Sequence, residues 1–270
     1  MTSTSKSTER SPRVSTAAVV THGRVDVESA LERVKNVAER AGVTLVDEPR
    51  DADIVVALGG DGTMLRTLGR LLGSDVPVIG VNFGRVGFLA SIRPEELERD
   101  LERVFAGEYV VVELPTIEVR FDGERHVAVN DVVVTSSTLG RMVELAWEIG
   151  GEDLGTVPCD GMICSTPSGS TAYNLSNGGP VLVRGLDAMA ITFIAPHSLH
   201  ARPLVVPRGA EVTVRNATAD VPAAVLVDGH RTADVASGDD VRIYLCQQRS
   251  LLATLPETSF FARYRETFAS

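Results

Sequence analysis

The fold is decided by the stretch DIVVALGGDGTMLRTLGRLL, residues 53–72. Residues 53–58 form a largely apolar run that is typical of a buried strand. A glycine-rich turn follows at 59–63, and after it the apolar side chains recur at helical spacing on one face, at Met64, Leu65, Leu68, Leu71 and Leu72. This stretch therefore predicts a strand, a tight turn and a helix.

The flanking segments continue the alternation of strands and helices. Apolar runs predict strands at 17–20 and 77–81, and helical spacing predicts helices at 31–41 and 94–105, the second with Pro94 in its first turn. Strands that alternate with helices form a parallel sheet covered on both faces. We expect a Rossmann-like α/β domain over residues 16–108.

Beyond residue 108 the pattern changes to β-branched runs separated by Gly, Asp and Pro turns. These runs predict an antiparallel β-sandwich domain over residues 109–250, interrupted by one helix at 168–176. They lie at 109–112, 116–121, 126–135, 142–149, 191–195, 210–214 and 241–246. The last stretch, 251–270, is too short to stand alone, and we expect it to pack back on the first domain.

Composition excludes several classes of protein. The 270 residues include 26 Lys and Arg against 36 Asp and Glu, a net charge of −10, which gives no general footprint for nucleic acid or an anionic membrane. Three cysteines without a C-x2-C pair support neither a disulfide framework nor a zinc site, so a reducing, cytoplasmic location is predicted. Residues 1–15 are polar and Ser/Thr-rich, and we expect a flexible tail; Glu9 disfavours the alternative of a transit peptide.

The turn GGDGT at 59–63 is the first candidate for chemistry. Glycines allow the backbone to approach a ligand closely, and the start of a helix offers unpaired N–H groups to phosphate. The spacing matches neither a Walker loop nor the GxGxxG dinucleotide fingerprint. The alternative is a tight turn in which Asp61 caps the helix.

A second candidate is the hydroxyl-rich stretch DGMICSTPSGSTAYNLSNGGP, residues 160–180. Its composition is more polar than a protein core, so we expect it to be poorly suited to burial. Ser, Thr and Asn side chains can bind ribose hydroxyls and base edges, and Tyr173 can present its ring or its hydroxyl to a ligand. The alternative is a surface loop with a capped helix.

The third candidate is the pair Asn130-Asp131, which lies inside the otherwise apolar run 127–134. Adjacent side chains of a strand point to opposite faces. At the end of a strand the pair can bridge ribose hydroxyls, and the alternative is an edge strand or a bulge.

Together these features resemble the ATP-NAD kinase family. The resemblance runs from about Ala17 to the end and includes GGDGT, Asn130-Asp131, residues 160–180, Pro196-His197-Ser198-Leu199 and Ala201-Arg202-Pro203-Leu204. Diacylglycerol and sphingosine kinases have a similar GGDGT motif but lack the TPSGSTAYNLS-type segment. The resemblance implies an α/β domain followed by a β-sandwich, with NAD bound between them, and transfer of the γ-phosphate of ATP to the 2′-hydroxyl of the adenosine ribose of NAD.

The resemblance also implies roles for single residues. Asp61 corresponds to the proton acceptor for the ribose hydroxyl, and Mg²⁺ is expected to be held by the nucleotide, so that no metal ligand is assigned. Two positions depart from the family pattern: His230, where many members have Gln, and Pro158, where some members have Arg. The remaining positions implied to bind substrate are Gly62, Arg66, Asn130, Asp131, Arg141, Asp160, Ser168, Thr171, Ala172, Tyr173, Asn174, Leu175, Ser176 and Ala195.

Several properties follow from the resemblance alone. The expected partners are NAD and ATP, with polyphosphate as a possible donor, and the expected assembly is a homodimer or homotetramer. The position of His22, Gly23 and Arg24 after the first strand, at the same end of the sheet as GGDGT, independently predicts a contact with phosphate; the alternative is an ordinary loop. Two other functions stay open: a lipid or sphingoid-base kinase, which would need an apolar acceptor cavity, and a non-catalytic NAD-binding sensor, against which the intact Asp61 argues.

Overall fold

The computed structural model describes residues 11–21, 27–84 and 87–268. The chain divides into two compact units: one comprises the residues up to Glu113 together with those from Leu251 onward, and the other comprises Leu114 to Ser250. Each unit has its own hydrophobic core. Residues 1–10 of the predicted tail and the candidate contact at 22–24 lie outside the described residues.

The first unit begins with the predicted alternation of strands and helices. Its strands pair in the order β2, β1, β3, β4, all of them parallel. Ile54, Val56 and Leu58 share one buried cluster with α1 and α3, whereas Met64 of α2 approaches Gly80 on the opposite face of the sheet. The predicted parallel sheet with two covered faces is confirmed. The elements are β1 (Thr16–Thr21), α1 (Val27–Ala41), β2 (Thr44–Leu45), β3 (Ile54–Gly59), α2 (Asp61–Arg70), β4 (Val78–Asn82) and α3 (Leu97–Phe105).

The second unit consists of antiparallel strands and one short helix. Its elements are β5 (Val110–Phe121), β6 (Glu124–Ala128), β7 (Asp131–Ser136), β8 (Val143–Ile149), β9 (Glu152–Cys159), β10 (Gly161–Ser165), α4 (Tyr173–Ser176), β11 (Ala188–Ile194), β12 (Leu204–Pro207), β13 (Val212–Asn216), β14 (Ala223–Val227), β15 (His230–Val235) and β16 (Asp240–Thr254).

These strands form two sheets. One has the order β16, β13, β8, β9, with the β5–β6 hairpin joined to β16, and the other has the order β12, β11, β10, β7, β14, β15. Val143 and Val212 of the first sheet share one buried cluster with Val132 and Met162 of the second. The predicted β-sandwich is confirmed.

Two expectations about this unit are wrong. The run 126–135 is not one strand, because the chain bends at residues 129–130 between β6 and β7. Residues 161–165 are not a polar surface stretch: they form β10, which lies between β7 and β11 and is fully buried. Glycine at position 161 allows this close packing, because a Cβ there would come within 2.6 Å of the carbonyl oxygen of Val134.

The two ends of the chain both contribute to the first unit. Leu252 at the end of β16 pairs in parallel with Val78 of β4, and α5 (Phe260–Phe268) follows. Val14 is buried, and its N–H donates to the carbonyl of Phe105 at 3.1 Å, so residue 14 packs in the first unit and the predicted start of the domain at residue 16 is too late. None of the described helices is both long and apolar enough to cross a membrane.

Candidate active site

The GGDGT turn joins β3 to α2 at the carboxyl edge of the parallel sheet. Gly59 pairs with Asn82, so the ends of β3 and β4 lie side by side. A Cβ on Gly59 would overlap the side chain of Thr63, and a Cβ on Gly84 would lie 3.4 Å from the Cα of Gly60. Glycine is therefore required at position 59, next to Thr63, whereas a Cβ at position 84 would make an ordinary van der Waals contact.

The carboxylate of Asp61 accepts three backbone hydrogen bonds from the loop that follows β4. The N–H of Phe88 donates to Oδ2 at 2.8 Å, and those of Leu89 and Ala90 donate to Oδ1 at 3.1 and 3.4 Å. A Cβ on Gly87 would overlap this carboxylate. Because the helix N-cap is Gly60 and Asp61 makes no capping bond, the interpretation of Asp61 as a helix cap is wrong.

The segment 87–90 is a part of this site that the sequence analysis missed. Its contribution consists of backbone N–H groups, which have no signature in residue type. The only signal was the pair Gly84 and Gly87 after a buried strand. Gly62 is exposed and has open space where a side chain would be, and Arg66 is exposed on the next turn of α2.

In the second unit, the bend at 129–130 packs against the start of the hydroxyl-rich segment. The N–H of Thr166 donates to the carbonyl of Asn130 at 2.9 Å, and its Oγ1 donates to the carbonyl of Val129 at 2.7 Å. A Cβ on Gly169 would overlap the carbonyl of Asn130. Asn130 therefore lies in the bend between β6 and β7, and Asp131 is the first residue of β7. The two residues do not lie within one strand, as the sequence had predicted.

Asp131 and Asp228 place two carboxylates next to each other. Asp228, in a positive-φ turn, accepts hydrogen bonds from the N–H groups of Val129, Asn130 and Asp131 at 2.8, 2.7 and 3.1 Å. Burial, together with the charge of Asp228, raises the pKa of Asp131 to about 7. The sequence analysis assigned no role to Asp228. Its role in holding the bend was missed, since a turn signal alone does not reveal the distant N–H groups that it binds.

Much of the segment 165–176 is buried, contrary to expectation. Ser165, Thr166, Ser170 and Asn174 are all inaccessible to solvent. Burial is possible because their polar atoms are paired. Asn174, for example, donates to the carbonyls of Ser170 and Pro180 at 3.1 and 3.0 Å and accepts from Thr192 at 2.7 Å, so its side chain holds the loop together.

Two buried polar atoms in this region have no hydrogen-bond partner among the described residues. They are Oδ1 of Asn130 and Oγ of Ser168. Buried polar groups are nearly always paired in folded proteins, so both are available to a ligand. Of the other candidates, Ala172, Tyr173 and Ser176 are exposed, while Thr171 and Leu175 are half-buried.

The remaining candidates lie on other loops of the second unit. The N–H of Asp160 donates to the carbonyl of Ile194 at 2.9 Å, which places Asp160 next to Ala195. Ala195 is exposed and has a positive φ of 43°, a conformation that is uncommon for residues other than glycine. Arg141 is exposed in the loop between β7 and β8 and makes no side-chain bond to a described residue.

Two family profiles match the chain: the ATP-NAD kinase N-terminal domain over residues 4–109 and the ATP-NAD kinase C-terminal domain over residues 129–255. The chain belongs to the ATP-NAD kinase family. The NAD kinase of Heliobacterium modesticaldum is 39% identical over 87% of this chain and 85% of its own length. The NAD kinase of Thermomicrobium roseum is 35% identical over 93% of this chain and 89% of its own length.

Solved structures of ATP-NAD kinase relatives have the same fold. An NAD kinase from Archaeoglobus fulgidus in complex with ATP has a TM-score of 0.78 and 27% identity, covering 94% of this chain and 97% of its own. Yeast NADH kinase complexed with NADH has a TM-score of 0.83 and 21% identity, covering 96% and 88%. The α/β unit and the β-sandwich unit are therefore the family's architecture.

Proposed function

We propose that this chain is an NAD kinase, a phosphotransferase with an alcohol group as acceptor. The 2′-oxygen of the adenosine ribose of NAD attacks the γ-phosphorus of ATP, the bond from that phosphorus to the bridging oxygen breaks, and ADP leaves. The hydroxyl proton goes to a carboxylate. Membership of the ATP-NAD kinase family supports this reaction.

In the first unit, Asp61 is the proposed proton acceptor. A base within hydrogen-bond reach of the nucleophile contributes roughly 10²- to 10⁴-fold in rate. We propose that the open backbone at Gly62 allows close approach of the substrate and that Arg66 binds a phosphate. Both residues are exposed and are free to meet a ligand.

In the second unit, the proposal depends on one observation: Asn130 Oδ1 and Ser168 Oγ are buried and have no hydrogen-bond partner in the described part of the chain. We propose that both bind NAD, with Asp131 accepting from a ribose hydroxyl. The exposed ring of Tyr173 and the hydroxyl of Ser176 are proposed to contact adenine. The other proposed contacts to the same NAD molecule are Arg141, Asp160, Thr171, Ala172, Leu175 and Ala195, whereas Asn174 is buried and supports the loop instead of contacting the ligand.

The metal is proposed to enter with the nucleotide. Among the described residues, no group of three or more His, Cys, Asp or Glu side chains is placed to hold a metal ion. We propose that the donor substrate is ATP with its own Mg²⁺. Polyphosphate as an alternative donor, a cytoplasmic location and a homodimeric or homotetrameric assembly are proposed from the family resemblance.

The test is NADP formation by the purified full-length protein with Mg²⁺ and NAD, with ATP or polyphosphate as donor and diacylglycerol as the competing acceptor. We expect NADP with ATP, and a loss of about 10²-fold or more in kcat for Asp61→Asn. Phosphorylation of diacylglycerol instead would indicate a lipid kinase. Binding of NAD without any NADP formation would indicate a sensor and would overturn the proposal.

A further inference from the structure

The two oxygens of the Asp61 carboxylate are not equivalent. Oδ1 accepts from the N–H groups of Leu89 and Ala90, whereas Oδ2 accepts only from that of Phe88 among the described residues. A carboxylate oxygen has about two acceptor positions. Oδ1 is therefore fully used, and Oδ2 retains one position for a further proton donor.

The segment that supplies these donors, 87–91, is held from two sides. On one side the N–H of Ser91 donates to the carbonyl of Gly80 in β4 at 3.1 Å. On the other side Arg263 of α5 donates through Nη2 to the carbonyls of Ala90 and Ser91 at 3.0 and 3.1 Å. The guanidinium thus fixes the two peptide carbonyls that directly follow the Asp61 contacts.

Aromatic packing adds to this support. The ring of Phe88 lies 5.9 Å from that of Phe260 and 5.8 Å from that of Phe268, at opposite ends of α5. Both distances are in the range of favourable aromatic pairs. The backbone N–H of Phe88 is the one that donates to Oδ2. Through its aromatic rings, α5 therefore contacts the residue that holds this oxygen in place.

The helix α5 is itself anchored to the first unit. Arg103 of α3 makes a bidentate ion pair with Glu257, at 2.6 and 3.1 Å, just before the helix. The side chain of Arg263 is only 11% exposed and lies 3.6 Å from Glu266 on the next turn. Its guanidinium is therefore restrained, and little conformational freedom remains to be lost when it binds the carbonyls.

We propose that Arg263 is a positioning residue: through the segment 87–91 it orients the Asp61 carboxylate so that Oδ2 receives the proton of the substrate hydroxyl. The inference rests on the proposed role of Asp61. Arg263 is 173 residues from Ala90 in the chain, and its effect is exerted through backbone groups.

The expected effect is on turnover rather than on binding. A displacement of about 1 Å in a reacting group can cost 10²-fold in rate. Since Ser91 remains bound to β4, Arg263→Met is expected to lower kcat about 10-fold and to leave the KM values for NAD and ATP within about twofold. Arg263→Lys keeps a donor for one carbonyl and is expected to restore part of kcat.

Arg265 provides the matched control. It lies on the same helix, is exposed and makes no ion pair with a described residue, so Arg265→Met is expected to leave kcat unchanged. Hydrogen exchange of the amides 88–90 gives a readout without turnover. These amides are expected to exchange faster in Arg263→Met than in the wild type or in Arg265→Met.

A double-substitution cycle decides the mechanism. If Arg263 acts through Asp61, Arg263→Met adds little to the loss in kcat already caused by Asp61→Asn. The inference would be overturned, with NAD kinase activity intact, by any of three results. The losses in kcat from the two substitutions could multiply independently, Arg263→Met could change KM alone, or the exchange of amides 88–90 could stay unchanged. Absence of NADP formation by the wild type would instead refute the proposed function. Circular dichroism of every variant identifies those that do not fold, and Arg263→Lys then serves as the test.

Discussion

Asp131 is a buried carboxyl next to a second carboxyl, and its burial and the charge of Asp228 raise its pKa to about 7. In the unfolded chain an aspartate ionises near its ordinary value of about 4. Between these two values the folded state holds a proton that the unfolded state has lost. The contribution of Asp131 to the free energy of unfolding therefore becomes increasingly unfavourable as the pH rises from about 4 to about 7, and stays so above.

Asp131→Asn removes this penalty. We expect the free energy of unfolding to rise on substitution, by about 1–2 kcal/mol more at pH 8 than at pH 5. Guanidinium unfolding followed by the fluorescence of Trp147, the single tryptophan and a residue of the same unit, measures the difference. Asp220→Asn, at an exposed position, is the control. An equal gain at both pH values would show that Asp131 is ionised throughout.

Gly87 is the residue whose missing side chain leaves room for the Asp61 carboxylate. Gly87→Ala is expected to displace that carboxylate or the segment that binds it, and to lower kcat by about 10- to 100-fold. Gly69→Ala, on α2 with open space around the new methyl group, is expected to retain kcat and to gain about 1 kcal/mol in stability. Steady-state kinetics of both variants provide the comparison. Full activity of Gly87→Ala would mean that the close approach is unimportant.

At the scale of the elements, β5 is joined to β16 by a buried carboxylate. Burial opposes ionisation of Glu118, but hydrogen bonds from Tyr244, Arg120 and Arg125 outweigh it and lower the pKa of Glu118 to about 2. Both arginines bind through Nε, at 2.6 and 2.8 Å. The stabilisation is present above the ordinary glutamate pKa and is lost as the pH falls towards 2.

Glu118→Gln is expected to lower the free energy of unfolding by about 1–3 kcal/mol at pH 7. The expected loss is smaller than for a fully buried ion pair, because both arginines are half exposed and solvent weakens their attraction to Glu118. The loss should diminish below about pH 4. Glu113→Gln, at an exposed position of the same strand, should have little effect. Thermal unfolding of both variants at pH 7 and pH 4 tests this, and a loss that is independent of pH would exclude the ion pair as its cause.

Elements were predictable from sequence where hydrophobic spacing dominates. The helix after GGDGT was found because Met64 and Leu68 lie on one buried face. The strand β10 was missed because its last residue, Ser165, and the following Thr166 are polar, yet both are buried with their hydroxyls bonded to carbonyls distant in sequence. The donors to Asp61 were missed for a related reason: they are backbone groups brought together only by the parallel pairing of β3 and β4.

For the molecule as a whole, the net charge of −10 opposes the approach of anionic NAD and ATP. Binding must therefore depend on local groups that the fold gathers from distant parts of the chain. In the first unit these are the GGDGT turn and the segment 87–90, and in the second they are the 129–131 bend and the segment 165–176. We propose that the second set binds NAD, whereas the first supplies Asp61 as the proton acceptor.

That proposal gives a prediction for hydrogen exchange. NAD is expected to slow amide exchange at 129–131 and 165–176, because a ligand that contacts these segments stabilises them against local opening. Nicotinamide mononucleotide, which lacks the adenosine half, should protect less of the second set. Exchange measured by mass spectrometry across an NAD titration distinguishes the outcomes. Unchanged exchange at 129–131 and 165–176 throughout the titration would show that these segments do not bind NAD.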